Sequence, residues 1–468
     1  MTRSRRTGRV AAAVVTVALC AAPSALAITP PAVDPGAEPP SAGPGPVQPM
    51  EQRGACSVST VVPGSDPQAL SPGQAALNLP TAWQSSRGAG QLVAVIDTGV
   101  HPGARLPEVE PGGDFVDNTD GLTDCDGHGT LIAGVIAGQP SGGGEDGFSG
   151  VAPAARLLSI RVTSSKFSAR SAGGDPAAAR ATLEITALGR AIVHAADLGA
   201  KVIAVSTATC VPADRPIDQG ALGAAIKYAA VDKDAVIVAA AGNSGPTGSV
   251  SGGTSCEGNP LSDLASPDDP RNWSGVKDVS VPSWWQPYVL STAALNGQGQ
   301  PSSFTMSGPW VGIAAPGEGI VSVSNRDGAS LANALTDDRG NAVALSGTGY
   351  ATGFVAGVAA LVRSKYPELS AAQVMRRITA TAHSGSRAPS DLVGAGSVDA
   401  VAALTWDVPA GPAAPAVPKK VALPPVSAAP DTRPRTVALT GSAALAAVVA
   451  LAAAVYGITS RRRKETDS

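Results

Sequence analysis

The most constraining feature of this chain is an alternation. Four short apolar runs, Leu92-Val-Ala-Val-Ile96, Leu157-Leu-Ser-Ile-Arg-Val162, Val202-Ile-Ala-Val205 and Ala235-Val-Ile-Val-Ala239, are bounded by turn residues and separated by longer stretches of helical pattern. The helical stretches fall at 130–138, 179–198, 217–233 and 353–366. A last one starts at Ser370, a capping residue just after Pro367, and runs to about residue 379. Runs this short are strands, and their near-continuous apolar character implies cover on both faces. Strands that alternate with helices favour a parallel sheet, so the expected fold class is α/β, a mainly parallel sheet with helices on both faces. Two Gly- and Ser-rich stretches, 138–150 and 163–175, mark surface insertions.

The ends of the chain are organised differently. Residues 1–27 carry Arg3, Arg5, Arg6 and Arg9, an apolar stretch over 10–22 and the small-x-small triplet Ala25-Leu26-Ala27. That is the pattern of a secretory signal cleaved after Ala27. Residues 28–54 are rich in Pro, Gly and Ala and poor in large apolar side chains, which predicts an extended arm with too little surface to bury. The globular pattern follows and defines a domain over 55–407. Residues 408–436 are again rich in Pro and Ala, suiting a semi-rigid linker. The segment 437–458 is uncharged and long enough to cross a bilayer, and Arg461-Arg-Arg-Lys464 follows it in the tail 459–468. Basic residues directly after such a segment predict a transmembrane helix with a cytoplasmic C-terminus, which places the globular domain outside the cell membrane.

Charge excludes one broad class. The net charge is −3, and the basic residues cluster at the two membrane-directed ends, so nucleic acid is not an expected partner. Aromatic residues make up only 3% of the chain, which leaves the core to Ala, Val, Leu and Ile. Of five cysteines, Cys20 belongs to the signal segment. The remaining four, Cys56, Cys125, Cys210 and Cys256, lack the close spacing of zinc ligands, and an even number outside the cytoplasm predicts disulfides. Three pairings are open, and the expected one is Cys56–Cys125 with Cys210–Cys256. The first would fasten the arm beside His128 and the second would close one loop region. No metal or cofactor is expected to be required, with structural calcium left open.

Four segments carry the residue types of nucleophilic acyl transfer, which needs a hydroxyl, an imidazole base, a carboxylate to orient it and an oxyanion donor. Asp97, in Val93-Ala-Val-Ile-Asp-Thr-Gly99, ends an apolar strand, where open α/β sheets place their sites. His128, in Asp126-Gly-His-Gly-Thr130, is flanked by glycines and opens a helix. The other histidines have blander settings: His101 precedes a proline, His194 sits in an amphipathic helix and His383 follows one. Asn243, in Ala239-Ala-Ala-Gly-Asn-Ser-Gly245, follows a strand and offers an amide to an oxyanion. Last comes Leu345-Ser-Gly-Thr-Gly-Tyr-Ala-Thr-Gly-Phe-Val-Ala-Gly357, a glycine-rich turn opening an apolar helix.

In that order the segments resemble the subtilisin-like serine proteases, or subtilases, and more narrowly the mycosins of type VII secretion systems. Leu79-Pro-Thr-Ala-Trp83, Arg87-Gly-Ala-Gly90, Gly150-Val-Ala-Pro153 and Ala314-Ala-Pro-Gly317 extend the likeness over about 55–404. The resemblance implies a subtilisin-like three-layer fold, with Asp97 as the acid, His128 as the base and Asn243 as the oxyanion donor. It also implies association with the proteins of a membrane secretion complex, to which some members contribute without cleavage. One departure matters most. The family pattern Gly-Thr-Ser-x-Ala-x-Pro places its nucleophilic Ser at Gly349 and its Pro at Gly353, so the hydroxyl is absent. In a subtilisin, loss of that hydroxyl costs about a million-fold in turnover. Val205-Ser-Thr-Ala-Thr209 also lacks the glycine that the substrate-edge strand often carries.

The sequence therefore predicts a membrane-anchored, catalytically impaired mycosin-like component of a type VII secretion system. Two alternatives stay open. One is an active serine-type endopeptidase that processes secreted substrates through Ser346 or Thr348. The other is a chaperone or sensor that binds extended peptide segments without cutting them.

Overall fold

In a computed structural model of the protein, residues 28–141, 146–170, 175–245, 256–262, 268–337, 339–383, 390–415 and 433–466 are described. The expected signal segment and most of the expected linker lie outside these residues. The chain divides into two units, Met1–Ala416 and Val417–Ser468.

The first unit is built on a seven-stranded sheet: β1 (Leu92–Asp97), β2 (Val109–Asp114), β3 (Arg156–Arg161), β4 (Val202–Val205), β5 (Val236–Ala240), β6 (Val289–Leu295) and β7 (Val311–Pro316). Their order across the sheet is β7-β6-β5-β4-β1-β3-β2, and every pairing is parallel. β1 lies between β3 and β4, so the order of winding reverses beside it and a crevice opens at its C-terminal end. Asp97 is the residue at that end.

Alternate side chains of each strand serve two cores. Val93 and Val95 of β1 face one, with Val202, Ala204, Val236 and Val238. Ala94 and Ile96 face the other, with Ile203, Val205 and Ile237. Helices α1 (His128–Ala137) and α4 (Thr348–Lys365) cover the first face, while α2 (Pro176–Asp197) and α3 (Gly220–Lys227) cover the second. α5 (Ala371–Ala380) starts from Ser370, which forms a reciprocal capping box with Gln373. A π-helical turn, Tyr228–Asp232, prolongs α3.

Residues 28–49 carry no helix or strand and are held along the second face. Ile28, Val33 and Ala42 pack on that core. The Arg190 guanidinium donates to the carbonyls of Gly43 and Gly45, and the Gly45 amide donates to Asp114 O at 2.7 Å. Few large side chains are needed, because α2 supplies the donors. Met50–Gln52 then pairs antiparallel with Phe167–Ala169, so the second surface insertion carries a strand. The disulfides Cys56–Cys125 and Cys210–Cys256 join the expected partners, with Cα–Cα distances of 4.4 and 5.4 Å.

The second unit is described as one helix, α6 (Arg433–Thr466), which contains the segment 437–458. Among the described residues no helix is long and apolar enough to cross a membrane. Alanine is the commonest residue of 437–458.

Candidate functional site

Three elements meet at the C-terminal end of β1. The first turn of α1 approaches closely because Gly129 has no side chain: a Cβ there would lie 2.0 Å from Gly99 O and 3.2 Å from Asp97 Oδ1. Gly127, at the N-cap, takes φ +83°, a left-handed conformation that glycine adopts without strain. The turn is fastened by Asp124. Its Oδ1 accepts from Thr98 Oγ1 at 2.8 Å and from the Gly127 amide at 2.7 Å. Its Oδ2 accepts from the Thr130 amide at 2.9 Å and Thr130 Oγ1 at 2.6 Å. Burial pushes the Asp124 carboxyl up to about 6, against the pull of its Thr130 and Thr98 hydrogen bonds and with a push from the Asp97 charge.

The turn aims His128 at Asp97. His128 Nδ1 lies 2.9 Å from each oxygen of the Asp97 carboxylate, and both residues are buried. Asp97 also accepts from the Thr98 amide at 2.7 Å and from the Ser206 hydroxyl. Burial alone would raise the Asp97 carboxyl, but the imidazole charge and these hydrogen bonds hold it below the usual carboxylate range. Burial likewise opposes charge on His128, and the Asp97 charge and hydrogen bond, aided by Asp124 and Asp126, leave it net above the usual imidazole value. The arrangement is a buried, mutually stabilised acid–base pair. His128 Nε2 is the atom left over, with no hydrogen-bond partner among the described residues.

Gly349, the second residue of α4, faces that atom. A Cβ built on it would lie 3.1 Å from both Nε2 and Cε1 of His128, and 2.5 Å from Ser206 O. Asn243 reaches the same helix start from the other side. Its Oδ1 accepts from the Thr348 amide and from Thr348 Oγ1, both at 3.0 Å, which turns its amide nitrogen away from the helix. Thr348 Oγ1 in turn accepts from the Gly242 amide at 3.3 Å. The structure thus brings Asp97, His128, Asn243 and Gly349 to one place. The cysteines flank it: Cys125 precedes the His128 turn, and the Cys256 amide donates to Asn243 O at 2.9 Å. Of the remaining histidines, His101 donates its backbone amide to Thr130 Oγ1 at 2.9 Å, beside the same turn, and His383 bonds Asp399 at 2.7 Å.

Sequence reasoning missed Ser206, Asp124 and Tyr350. Ser206 follows the last residue of β4, a position equivalent to that of Asp97 on its neighbour, and this was the available signal. Tyr350 packs edge-on against the His128 ring at a centroid distance of 5.2 Å, with its hydroxyl buried and unpartnered among the described residues. No group of His, Cys, Asp and Glu suited to a metal ion occurs among the described residues.

With this geometry in hand, comparison with known proteins is specific. Residues 88–396 match the peptidase S8 subtilase family. The chain is 66% identical over 457 residues to mycosin-3 of Mycobacterium tuberculosis (strain ATCC 25618 / H37Rv), a match that covers 97% of this chain and 98% of that protein. It is similar to the structure of the MycP3 protease from the type VII (ESX-3) secretion system, with a TM-score of 0.77, 61% identity, and coverage of 81% of this chain and 100% of that one. It is also similar to a chain in the periplasmic assembly from the ESX-5 inner membrane complex, with a TM-score of 0.78, 46% identity, and coverage of 86% and 100%.

Proposed function

The chain belongs to the subtilase family and, within it, to the mycosins, and from that premise we propose that it is a membrane-anchored component of a type VII secretion complex that no longer cleaves peptides. The observation that carries the loss of cleavage is the placement of Gly349. A Cβ there would lie 3.1 Å from His128 Nε2, so this is the residue whose side chain would present a hydroxyl to the base, and glycine presents none. A base without a nucleophile leaves only binding and oxyanion effects. Thr348 does not substitute, because its hydroxyl is committed to Asn243 and to the Gly242 amide.

The secretory pattern of 1–27, the uncharged segment 437–458 and the basic run after it support one topology. The signal is removed, the subtilase domain faces the extracytoplasmic side, and a single C-terminal helix anchors it with the tail in the cytoplasm. The likeness to a chain of an inner membrane complex supports partners among the membrane proteins of that machinery. No cofactor is required by the acid–base pair.

A fluorophosphonate probe tests the loss of cleavage. The unmodified protein should stay unlabelled, and Gly349→Ser should gain labelling that His128→Ala abolishes. Labelling of the unmodified protein would overturn this reading and favour an active serine endopeptidase working through Ser346. Co-purification with secretion-complex membrane proteins should survive His128→Ala, since association needs no turnover.

A second reading keeps peptide binding without cleavage. It is favoured by a cavity of about 490 Å³ between Met50, Phe167 and Leu183, whose apolar lining suits a peptide side chain. Saturable binding of an extended peptide with no product would support it.

A further inference from the structure

The two-stranded ribbon of Met50–Gln52 and Phe167–Ala169 borders the cavity of about 490 Å³. Its register fixes which way the backbone points. Arg53 N donates to Lys166 O at 2.7 Å and Arg170 N to Pro49 O at 3.3 Å, so these two pairs bond across the ribbon. By alternation Glu51 and Ser168 do the same. The N–H and C=O groups of Met50 and Gln52 therefore point out along one edge, and those of Phe167 and Ala169 along the other. They meet no hydrogen-bond partner among the described residues. These four residues share one face of the ribbon, and Met50, Phe167 and Ala169 line the cavity. α2 contributes Ala179, Leu183 and Ala187, two of them too small to fill the space. Packed interiors leave few voids of this size, which is that of a ligand site. The ribbon side is held in place, with the Arg161 guanidinium 4.5 Å from the Phe167 ring centre and the Ser165 amide 2.8 Å from Asp126 Oδ1. The charged residues of the lining are Arg180 and Glu184. Both Glu184 oxygens are occupied, by Arg180 Nε at 2.8 Å and Thr209 Oγ1 at 2.9 Å. The terminal nitrogens of Arg180 have no partner among the described residues, and its side chain is 57% exposed.

We infer that the ribbon is a docking edge for an extended peptide of a partner protein, one that carries a large apolar side chain with an acidic residue two positions away. The peptide adds as a third strand, and its backbone bonds the outward groups of one edge. A peptide residue opposite such a position shares its face and lowers its side chain into the cavity. The acidic residue, on the same face, meets the free fork of Arg180. A two-stranded ribbon is marginal by itself, so a third strand also stabilises the ribbon. The inference rests on the second reading proposed above, peptide binding without cleavage, and assigns it to a site that neither Gly349 nor His128 lines.

The test titrates fluorescein-labelled Glu-Val-Phe-Val-Glu-amide with the full-length protein in phosphatidylcholine nanodiscs and reads fluorescence anisotropy. Binding should saturate, and a peptide with alanine in place of phenylalanine should bind about tenfold more weakly. Gln52→Pro removes an outward amide from one edge and Ala169→Pro from the other, while the bonds across the ribbon remain. One of the two should abolish binding. Ala179→Phe fills the cavity and should weaken the phenylalanine peptide to the level of the alanine one. Arg180→Glu should weaken binding several-fold, and a peptide with lysine in place of both glutamates should restore it, a recovery that a misfolded variant cannot show. Saturable binding that none of these variants alters overturns docking on the ribbon and leaves peptide binding to another site. No saturable binding overturns the second reading along with it.

Discussion

His128 grips Asp97 through Nδ1, 2.9 Å from each carboxylate oxygen, while exposing only 1% of its own surface. Asp97 is fully enclosed, so its charge depends on that imidazole and on the Ser206 and Thr98 donors. A pair this deeply buried fastens the first turn of α1 to the end of β1 whether or not it performs chemistry.

Removing His128 should therefore destabilise the fold. His128→Ala strands an uncompensated carboxylate in the interior, a change that costs about 3–5 kcal/mol when one partner of a buried pair is lost. Urea denaturation at pH 7 measures it. A loss below about 1 kcal/mol would mean that Asp97 is not ionised there, because a neutral carboxyl needs no such partner.

Restoring the hydroxyl should itself have a stability cost. A Cβ at residue 349 meets Ser206 O at 2.5 Å, so Gly349→Ser must displace the end of β4. Overpacking of this kind costs about 1–3 kcal/mol. The melting temperature of Gly349→Ser should fall below that of the unmodified protein even as the variant gains reactivity toward a fluorophosphonate.

Acid should affect Asp97 and Asp124 in opposite directions. Asp97 is held below its unfolded value, so its contribution is present above that value and is lost as pH falls through the folded one. Asp124 is raised from 3.8 to about 6, so its contribution is fully present below 3.8 and is lost as pH rises through about 6. Two units correspond to roughly 3 kcal/mol. Against Asp124→Asn, which cannot ionise, the unmodified protein should lose stability between pH 4 and pH 6.5. Parallel pH profiles from urea melts would remove this assignment.

Each disulfide should contribute independently. They close loops with sequence separations of 69 and 46 residues, for which chain entropy gives about 4 kcal/mol apiece. Cys210→Ser/Cys256→Ser should also loosen Asn243, whose carbonyl is held by the Cys256 amide. Hydrogen exchange of the residue 256 backbone amide should quicken in that variant and stay unchanged in Cys56→Ser/Cys125→Ser.

The sequence made the site more legible than the sheet. Asp97, His128, Asn243 and Gly349 could be read because each sits in a short segment whose glycines permit one geometry. β6 was hidden by Ser291 and Thr292, which are wholly buried but interrupt an apolar pattern. β2 was hidden by Pro111, Gly112 and Gly113, residues that usually end strands. α4 begins at Thr348, five residues before its helical pattern becomes visible, because glycines at 349 and 353 dilute the signal. Ser206 lies 109 residues from Asp97, and no local rule reports a contact at that range.

The all-parallel sheet also bears on the order of assembly. β1 cannot pair with β4 until the intervening hundred or so residues have been made and gathered in. Pairings this distant in sequence put the chain among slow folders, with apolar strands open to misassociation in the interval. Cys125 stands beside the His128 turn and Cys210 just beyond β4. None of the four cysteines lies in a strand of the seven-stranded sheet, so the two crosslinks brace the segments around it rather than its strand pairings.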